Sequence, residues 1–390
     1  SVTCAHRICR PLPDALAPET AAEMFPTGVI TASASQLEKF AQCPFQHFAQ
    51  HILKLQPRPE PILTPRSTGS AAHKALQRFF AEGVLPADEG AAAARMRAIF
   101  AELADEEEYR IFQEDPPSAY RWKRTGHSLE EFVRTEVHRL RAAAYQPLAL
   151  ELSFGLEPCQ DADIRALACA LAKGESPEIN ALPPLEIDID PAAAREFALP
   201  ARPWQLRLRG RIDRLDSASG AEGTRQALII DYKRSGKRSQ IKEDLKRGLN
   251  IQVATYLLAV REILGLEPVG GIYYTFTPQP RRSYERVPED NRLRFSMQGI
   301  YLASAKEQID PEGSFLRSSD KVEQRDPGAG GLDPMLEIVR ERMTDMALNI
   351  LSGRMRPSPA RIGRSLPCQW CDFGPVCRFD PRVHPIQGDA

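Results

Sequence analysis

Residues 368–377 read CQWCDFGPVC, which places three of the chain's eight cysteines within ten positions at a spacing of C-x2-C-x5-C. A disulfide framework uses cysteines in pairs, whereas a soft-metal centre usually takes four thiolates. Three together leave the set one short, so a metal-binding loop of this kind obliges the fold to bring a fourth donor from elsewhere. The other cysteines (Cys4, Cys9, Cys43, Cys159 and Cys169) are scattered upstream. The first thirty residues lack the continuous apolar stretch of a secretory signal. That points to a cytoplasmic, reducing setting, where metal binding by thiols is favoured over disulfides.

With 390 residues the chain can form two or three average domains or one large decorated one. Its 42% hydrophobic and 26% charged content suits a soluble globular protein. The net charge of −1 removes any whole-chain argument for nucleic acid, so such a case must come from local basic patches. No run approaches the roughly 18 apolar residues of a membrane span, and none is expected. No G-x4-G-K-[ST] occurs, so no ATP site is visible. A chain that begins with Ser rather than Met reads as part of something longer.

The opening thirty residues are Pro-rich and read as an arm or linker. SASQLEKFAQCPF then starts a helix, with Ser35 and Glu38 spaced as a capping box and Pro44 interrupting after Cys43. Helices are expected over 68–83, 91–112, 126–144 and 249–264, and strands over 149–156, 204–216 and 227–233, with PVGGIYYTFTP as a further strand. The two strands flanking SASGAEGTRQ should pair as a hairpin. The stretch 310–332 reads as a loop, and Asp333 as the cap of a last helix that Gly353 stops. This order of elements predicts one α/β or α+β core with a helical insertion.

ALIIDYK carries the clearest chemistry. Strand side chains alternate, so Asp231 and Lys233 point the same way while Ile230 and Tyr232 point the other. A carboxylate that holds a divalent cation beside a lysine that assists water and neutralises phosphate charge suits phosphodiester hydrolysis. Asp213, in GRIDRLD on the expected hairpin partner, offers a second carboxylate for a hard cation such as Mg²⁺ or Mn²⁺. Each residue alone has a blander reading: a solvated strand face for D-Y-K, a packed histidine for His73, a core tyrosine for Tyr256, and an ion pair with an arginine such as Arg209 for Glu151.

G-x-x-D followed by D-Y-K resembles the core of the PD-(D/E)XK nuclease superfamily in its RecB-like branch. The resemblance implies an α/β restriction-endonuclease-like core, a central mixed sheet flanked by helices. It implies that His73 (GSAAHKAL), Asp213 and Asp231 bind the metal, that Lys233 is the catalytic lysine, and that Glu151 (LELSF) is the acid of the first core strand. Gln252 and Tyr256 match a Q-x3-Y pattern near the active site and the DNA strand. With Cys43 as the fourth cysteine, the pattern C…C-x2-C-x5-C is similar to the iron–sulfur staple of AddB-type helicase–nucleases and of certain CRISPR-associated nucleases. There a 4Fe–4S cluster on Cys43, Cys368, Cys371 and Cys377 would tie the two ends of the nuclease domain together. The same four thiolates could hold zinc, which spacing does not separate from iron–sulfur. Closing a loop of 325 positions would stabilise the fold by roughly 5 kcal/mol in the chain-entropy description.

The resemblance covers residues 31–380: a helical part at about 31–145, a catalytic core at about 146–280, and a C-terminal helix and cysteine loop at 333–380, with 381–390 as a tail. It implies a DNA exonuclease acting on ends or single strands, with a helicase domain or subunit in cis or in trans. Basic runs suit phosphate contacts: Arg202, Arg207, Arg209, Arg211 and Arg214; then Lys233, Arg234, Lys237, Arg238, Lys242, Lys246 and Arg247; then Arg354, Arg356, Arg361 and Arg364. The alternative is a catalytically silent DNA-end-binding or scaffold module stapled by iron–sulfur or zinc.

Overall fold

A computed structural model of the chain describes residues 14–56, 65–159, 161–173, 175, 181–220, 224–234, 241–278, 295–316, 321–322, 331–382 and 384–387. Its helices are α1 (Pro18–Met24), α2 (Ala34–Gln42), α3 (Pro44–His47), α4 (Pro65–Ala81), α5 (Glu89–Asp105), α6 (Glu107–Glu114), α7 (Pro116–Ala142), α8 (Asp161–Lys173), α9 (Pro191–Glu196), α10 (Ile241–Lys246), α11 (Gln252–Leu264), α12 (Lys306–Ile309), α13 (Asp333–Leu351) and α14 (Gly374–Cys377). The strands are β1 (Val29–Ser33), β2 (Gln146–Phe154), β3 (Ala181–Leu182), β4 (Leu185–Ile189), β5 (Trp204–Ser219), β6 (Arg225–Lys233), β7 (Glu267–Thr275), β8 (Met297–Leu302) and β9 (Lys321–Val322). None of the described helices is long and apolar enough to cross a membrane.

One mixed sheet of nine strands organises these elements, in the order β3-β2-β5-β6-β7-β8-β9. The 16-residue β5 is its spine. Its first half lies between β1, parallel, and β4, antiparallel; its second half lies between β2 and β6, both antiparallel. The expected hairpin is present, with Arg214 opposite Ile230. A crossover through α10 and α11 returns the chain to β7, parallel to β6. Leu228, Ile229 and Ile230 are all fully buried, as befits a strand covered on both faces.

Several expectations change, among them the single helix expected over 91–112, which an extended Glu106 divides into α5 and α6. The opening arm is partly regular: Pro18 starts a helix at a position where its missing N–H costs nothing, and Val29–Ser33 alternates and joins β5. The capping box of α2 is Ser33 with Gln36, not Ser35 with Glu38; Ser33 Oγ accepts from the Gln36 N–H and Gln36 Oε1 from the Ser33 N–H. Helix α7 begins ten residues earlier than its apolar periodicity suggested, because Asp115 accepts from the Ser118 N–H and Pro116 occupies the first turn. Asp333 does not cap α13: Leu332 holds that position and Asp333 pairs with Arg261 at 2.5 Å. Strand β8 carries no alternation to reveal it, since all six of its residues are buried.

Candidate active site and cysteine cavity

The pairing of β5 with β6 ends at Arg214 opposite Ile230, with Asp213 and Asp231 the next residues on the two strands, and β2 brings Glu151 alongside from the other edge of β5. Asp213 is fixed by the fold: its Oδ2 accepts from the Tyr232 backbone N–H at 2.8 Å. Helix α4 adds His73, whose Nδ1 lies 3.3 Å from Asp213 Oδ1 and whose Nε2 lies 3.1 Å from the Tyr232 carbonyl oxygen. Among the described residues, His73, Glu151 and Asp213 are the one group of metal-type side chains whose ligand atoms all come within 4.8 Å of one another. Glu151 reaches this position from a left-handed backbone conformation, φ 49°, uncommon for a residue with a side chain.

Asp231 stands beside this group, with its side chain 1% exposed. Its Oδ2 is 2.5 Å from Lys233 Nζ, yet neither carboxylate oxygen takes a well-aligned hydrogen bond from the protein. A buried carboxylate without donors is costly unless a cation compensates it. Lys233 also donates to Gln252 Oε1 at 3.0 Å, and Gln252 Nε2 donates to the Tyr256 hydroxyl at 2.9 Å. Asp231, Lys233, Gln252 and Tyr256 thus form one chain of contacts, Gln252 and Tyr256 from the same face of α11. Gly210 makes room for it: a Cβ there would lie 2.8 Å from Phe154 and 2.9 Å from Tyr256.

The acids perturb one another. Burial, then the Asp213 charge, raise the Glu151 carboxyl to about 7, against opposing pulls from His73 and Arg211. Burial also raises Asp231, with Lys233 opposing. Burial disfavours a charged His73, but the hydrogen bond and charge of Asp213, with the charges of Asp231 and Glu151, overcome it and raise the imidazole to about 9. Burial likewise opposes a charged Lys233, and Asp231 outweighs it, so Lys233 is held above its ordinary value. Carboxylates pressed together this way, with a lysine and a histidine drawn in, are short of positive charge, and a divalent cation fits the donor set.

Behind the strands lies a buried ionic layer that sequence reasoning misread. Arg214, counted among the phosphate-binding arginines, is fully buried. It donates to both oxygens of Asp216 and to Glu136 Oε1 at 2.7 Å, and to the Tyr232 hydroxyl at 2.8 Å. Arg139 completes the layer through Glu136 and the Ile309 carbonyl. The alternation that aims Asp213 into the cleft aims Arg214 away from it. Other nominated arginines are also structural: Arg202 donates to the Phe25 and Pro26 carbonyls, Arg207 pairs with Glu186, and Arg356 with Asp14. Arg211, Arg234, Arg247, Arg354, Arg361 and Arg364 are exposed, and Arg209 half-buried. Lys237 and Arg238 lie outside the described residues, as do Cys4 and Cys9.

The cysteines gather at the other end of α2. Cys43 is its C-cap, and Cys368, Cys371 and Cys377 follow α13 on the C-terminal loop. All four are free thiols, and all four line one cavity of about 240 Å³ walled by Phe45, Pro359, Pro367 and Phe379. The Ala360 N–H donates to the Gln42 carbonyl at 2.7 Å, fastening the loop's approach to α2. Burial, then the neighbouring Cys43, Cys377 and Cys371, raise the Cys368 thiol to about 11. Four thiols gathered at one cavity suit a shared metal centre, which takes them as thiolates.

A mixed α/β sheet with facing carboxylates on an antiparallel strand pair and a lysine two positions beyond one of them has the architecture of the restriction-endonuclease-like nucleases. The chain belongs to the PD-(D/E)XK nuclease superfamily, whose profile matches residues 31–378. It is similar to an ATP-dependent helicase/deoxyribonuclease subunit of Symbiobacterium thermophilum, 28% identical over 91% of this chain and 30% of that protein. The proteins of the same name from Moorella thermoacetica (29% identical; 95% of this chain, 32% of that protein) and Listeria innocua (27%; 91% and 30%) resemble it comparably. The chain thus spans about a third of the length of the curated relatives it matches.

Proposed function

We propose that this chain is the nuclease module of a helicase–nuclease, a metal-dependent DNA exonuclease acting in double-strand break repair and recombination, with its two ends joined by a 4Fe–4S cluster. The observation that carries the catalytic reading is the buried, hydrogen-bond-poor carboxylate of Asp231 facing Asp213, with Lys233 at 2.5 Å. His73, Glu151, Asp213 and Asp231 would hold Mg²⁺ or Mn²⁺. When bound, such a cation supplies Lewis acidity and a more acidic water. The protein's own part is positional. Lys233 Nζ donates to Gln252 Oε1 and lies against Asp231, which leaves it donor capacity for a phosphate oxygen or the attacking water. Lys233 serves as donor and counter-charge to that phosphate oxygen or water. The exposed arginines supply sequence-independent phosphate contacts.

Four thiols lining one cavity suit a 4Fe–4S cluster, and the same four thiolates could hold zinc, which the metal determination below separates from it. The names of the relatives support a helicase partner, in cis or in trans.

The test is degradation of linear against covalently closed circular DNA with Mg²⁺ or Mn²⁺, alongside iron, sulfide and zinc determination on anaerobically purified protein. End-dependent cleavage abolished by EDTA, with four irons per chain, is expected. DNA binding without cleavage under either metal identifies the silent end-binding module instead, and stoichiometric zinc overturns the cluster.

A further inference from the structure

Helix α11, which presents Gln252 and Tyr256, begins without a cap of its own. Ile251 holds the N-cap position and supplies no side-chain acceptor. The first N–H groups of a helix have no partner inside it, and here they are buried: Ile251 is fully enclosed. The missing acceptor comes from 213 positions upstream. Glu38 Oε1, on α2, accepts from the Ile251 N–H at 2.8 Å and from the Gln252 N–H at 3.1 Å. Glu38 is itself only 9% exposed, a rare place for a carboxylate unless something requires it. Its negative charge at a helix N-terminus is also favoured by the helix dipole.

The contacts continue on both sides. Five residues after Glu38 comes Cys43, the C-cap of the same helix, with its N–H donating to the Lys39 carbonyl at 3.0 Å. On the other side Gln252 accepts from Lys233 Nζ at 3.0 Å, and Lys233 meets Asp231. A single rigid helix of nine residues therefore carries a cavity cysteine at one end and, near its middle, the carboxylate that fixes the backbone of Gln252.

We propose that Glu38 is a positioning residue for phosphodiester hydrolysis: it caps α11 from α2, sets where Gln252 holds the Lys233 ammonium, and thereby makes the geometry of the active site depend on the helix anchored in the cysteine cavity. This rests on the nuclease reading above, but its structural half does not. The hydrogen bonds of Glu38 to the Ile251 and Gln252 N–H groups are the route by which it acts on Lys233.

The experiment uses the full chain with Glu38→Ala, Glu38→Gln, Gln252→Ala and the double variant Glu38→Ala/Gln252→Ala. Amide hydrogen exchange reads the cap directly: in Glu38→Ala, residues 251–253 should exchange roughly tenfold faster, the usual scale for a lost cap or buried hydrogen bond. Strands β6 and β7 should keep their protection, and iron content should be unchanged. Glu38→Gln retains an acceptor oxygen and should restore most of that protection. In the cleavage assay kcat should fall on the order of tenfold with KM for DNA little altered. The double variant should be no worse than Gln252→Ala, since residues acting in series are not additive. Unchanged exchange at 251–253 in Glu38→Ala overturns the cap. Additive losses in the double variant, or loss of protection across the whole sheet, overturn the relay and leave ordinary destabilisation. If the wild type cleaves no DNA, the nuclease reading fails while the exchange data still decide the cap. Should Glu38→Ala fail to fold, the comparison of Glu38→Gln with Glu38→Asp, which is too short to reach Ile251, decides it in the same way.

Discussion

The acidic cleft and the cysteine cavity both gather metal-type donors, and they are built in opposite ways. The cleft takes Glu151, Asp213 and Asp231 from three adjacent strands whose register is set by backbone hydrogen bonds. Behind it stand a continuous apolar core and the Arg214 ionic layer. The cavity takes its donors from a helix end and an irregular loop 325 positions later, backed by a satellite cluster of only Phe45, Ala49 and Phe373. On the reading proposed above, the sheet holds the cleft in shape, whereas the cavity has the smaller apolar support and depends on what its thiols bind. Removing a donor should therefore silence the cleft but loosen the cavity.

The largest effect is expected from Asp231→Ala. Cleavage should drop on the order of a thousandfold or more, as when a metal-holding carboxylate is lost. The fold should survive, because strand register is set by backbone hydrogen bonds and the Lys233 ammonium left without its partner is half-buried and can turn towards solvent. Calorimetry should show a Tm within a few degrees of the wild type. A variant that cleaves at near the wild-type rate would remove Asp231 from the site; one that unfolds would show that the cleft depends on its donors as the cavity does.

Cys43→Ala is the counterpart and should do the reverse. Iron and the broad visible absorbance of a cluster should be lost as completely as in Cys371→Ala, and stability should fall by up to about 5 kcal/mol, the cross-link's chain-entropy contribution. Limited proteolysis should open both ends while residues 204–264 stay protected. Full iron retention would break the comparison, because Cys43 would then be a bystander.

Glu136 probes the layer behind the cleft. Burial would raise its carboxyl, but the Arg139 and Arg214 guanidiniums overcome this and hold it down at about 2. A folded-state pKa below the unfolded one means that its stabilisation is present above the unfolded value of 4.5 and is lost as pH falls towards 2. Glu136→Gln should cost about 3 kcal/mol at pH 7, the scale for breaking a buried ion pair. The gap between variant and wild type should narrow below pH 4.5. Urea titrations at pH 7, 5 and 4 check both the size and the trend, and a gap that widens on acidification would contradict the assigned charges.

The same contrast explains what the sequence disclosed. Period-two alternation is a local rule, so it placed Asp231 with Lys233 and opened the hairpin on Asp213; four-residue helical spacing put Gln252 beside Tyr256. Read consistently, it also disclosed that Arg214 faces inward with Ile212, Ile230 and Tyr232, which a count of basic residues obscured. Strand β8 was not legible because it is buried on both faces and so has no polar alternation. Glu38 was not legible for a different reason. Its spacing from Ser35 imitates a local capping box, and only the tertiary fold shows that it caps a helix 213 positions away. The seating of the four cysteines around one cavity likewise depends on the whole chain between them.

The smallest effect sharpens the claim that the cleft is held rigidly. Gly210 sits opposite Phe154 in the β2–β5 pair, and a methyl there would come within 2.8 Å of the Phe154 ring and 2.9 Å of Tyr256 Cε1. Phe154 is fully buried and meets Tyr256 edge-on, with ring centroids 5.8 Å apart. Neither ring has free space to yield into, and Tyr256 is tied through its hydroxyl to Gln252. Gly210→Ala should therefore cost about 1–3 kcal/mol, the range for overpacking. Part of the displacement should travel through Tyr256 and Gln252 to Lys233, lowering kcat by less than Asp231→Ala does. Phe154→Leu in the same chain removes one side of the clash and should return part of the stability. If Gly210→Ala keeps both the wild-type Tm and the wild-type kcat, the wall of the cleft is plastic, and its geometry must be set by the bound cation instead of by the sheet.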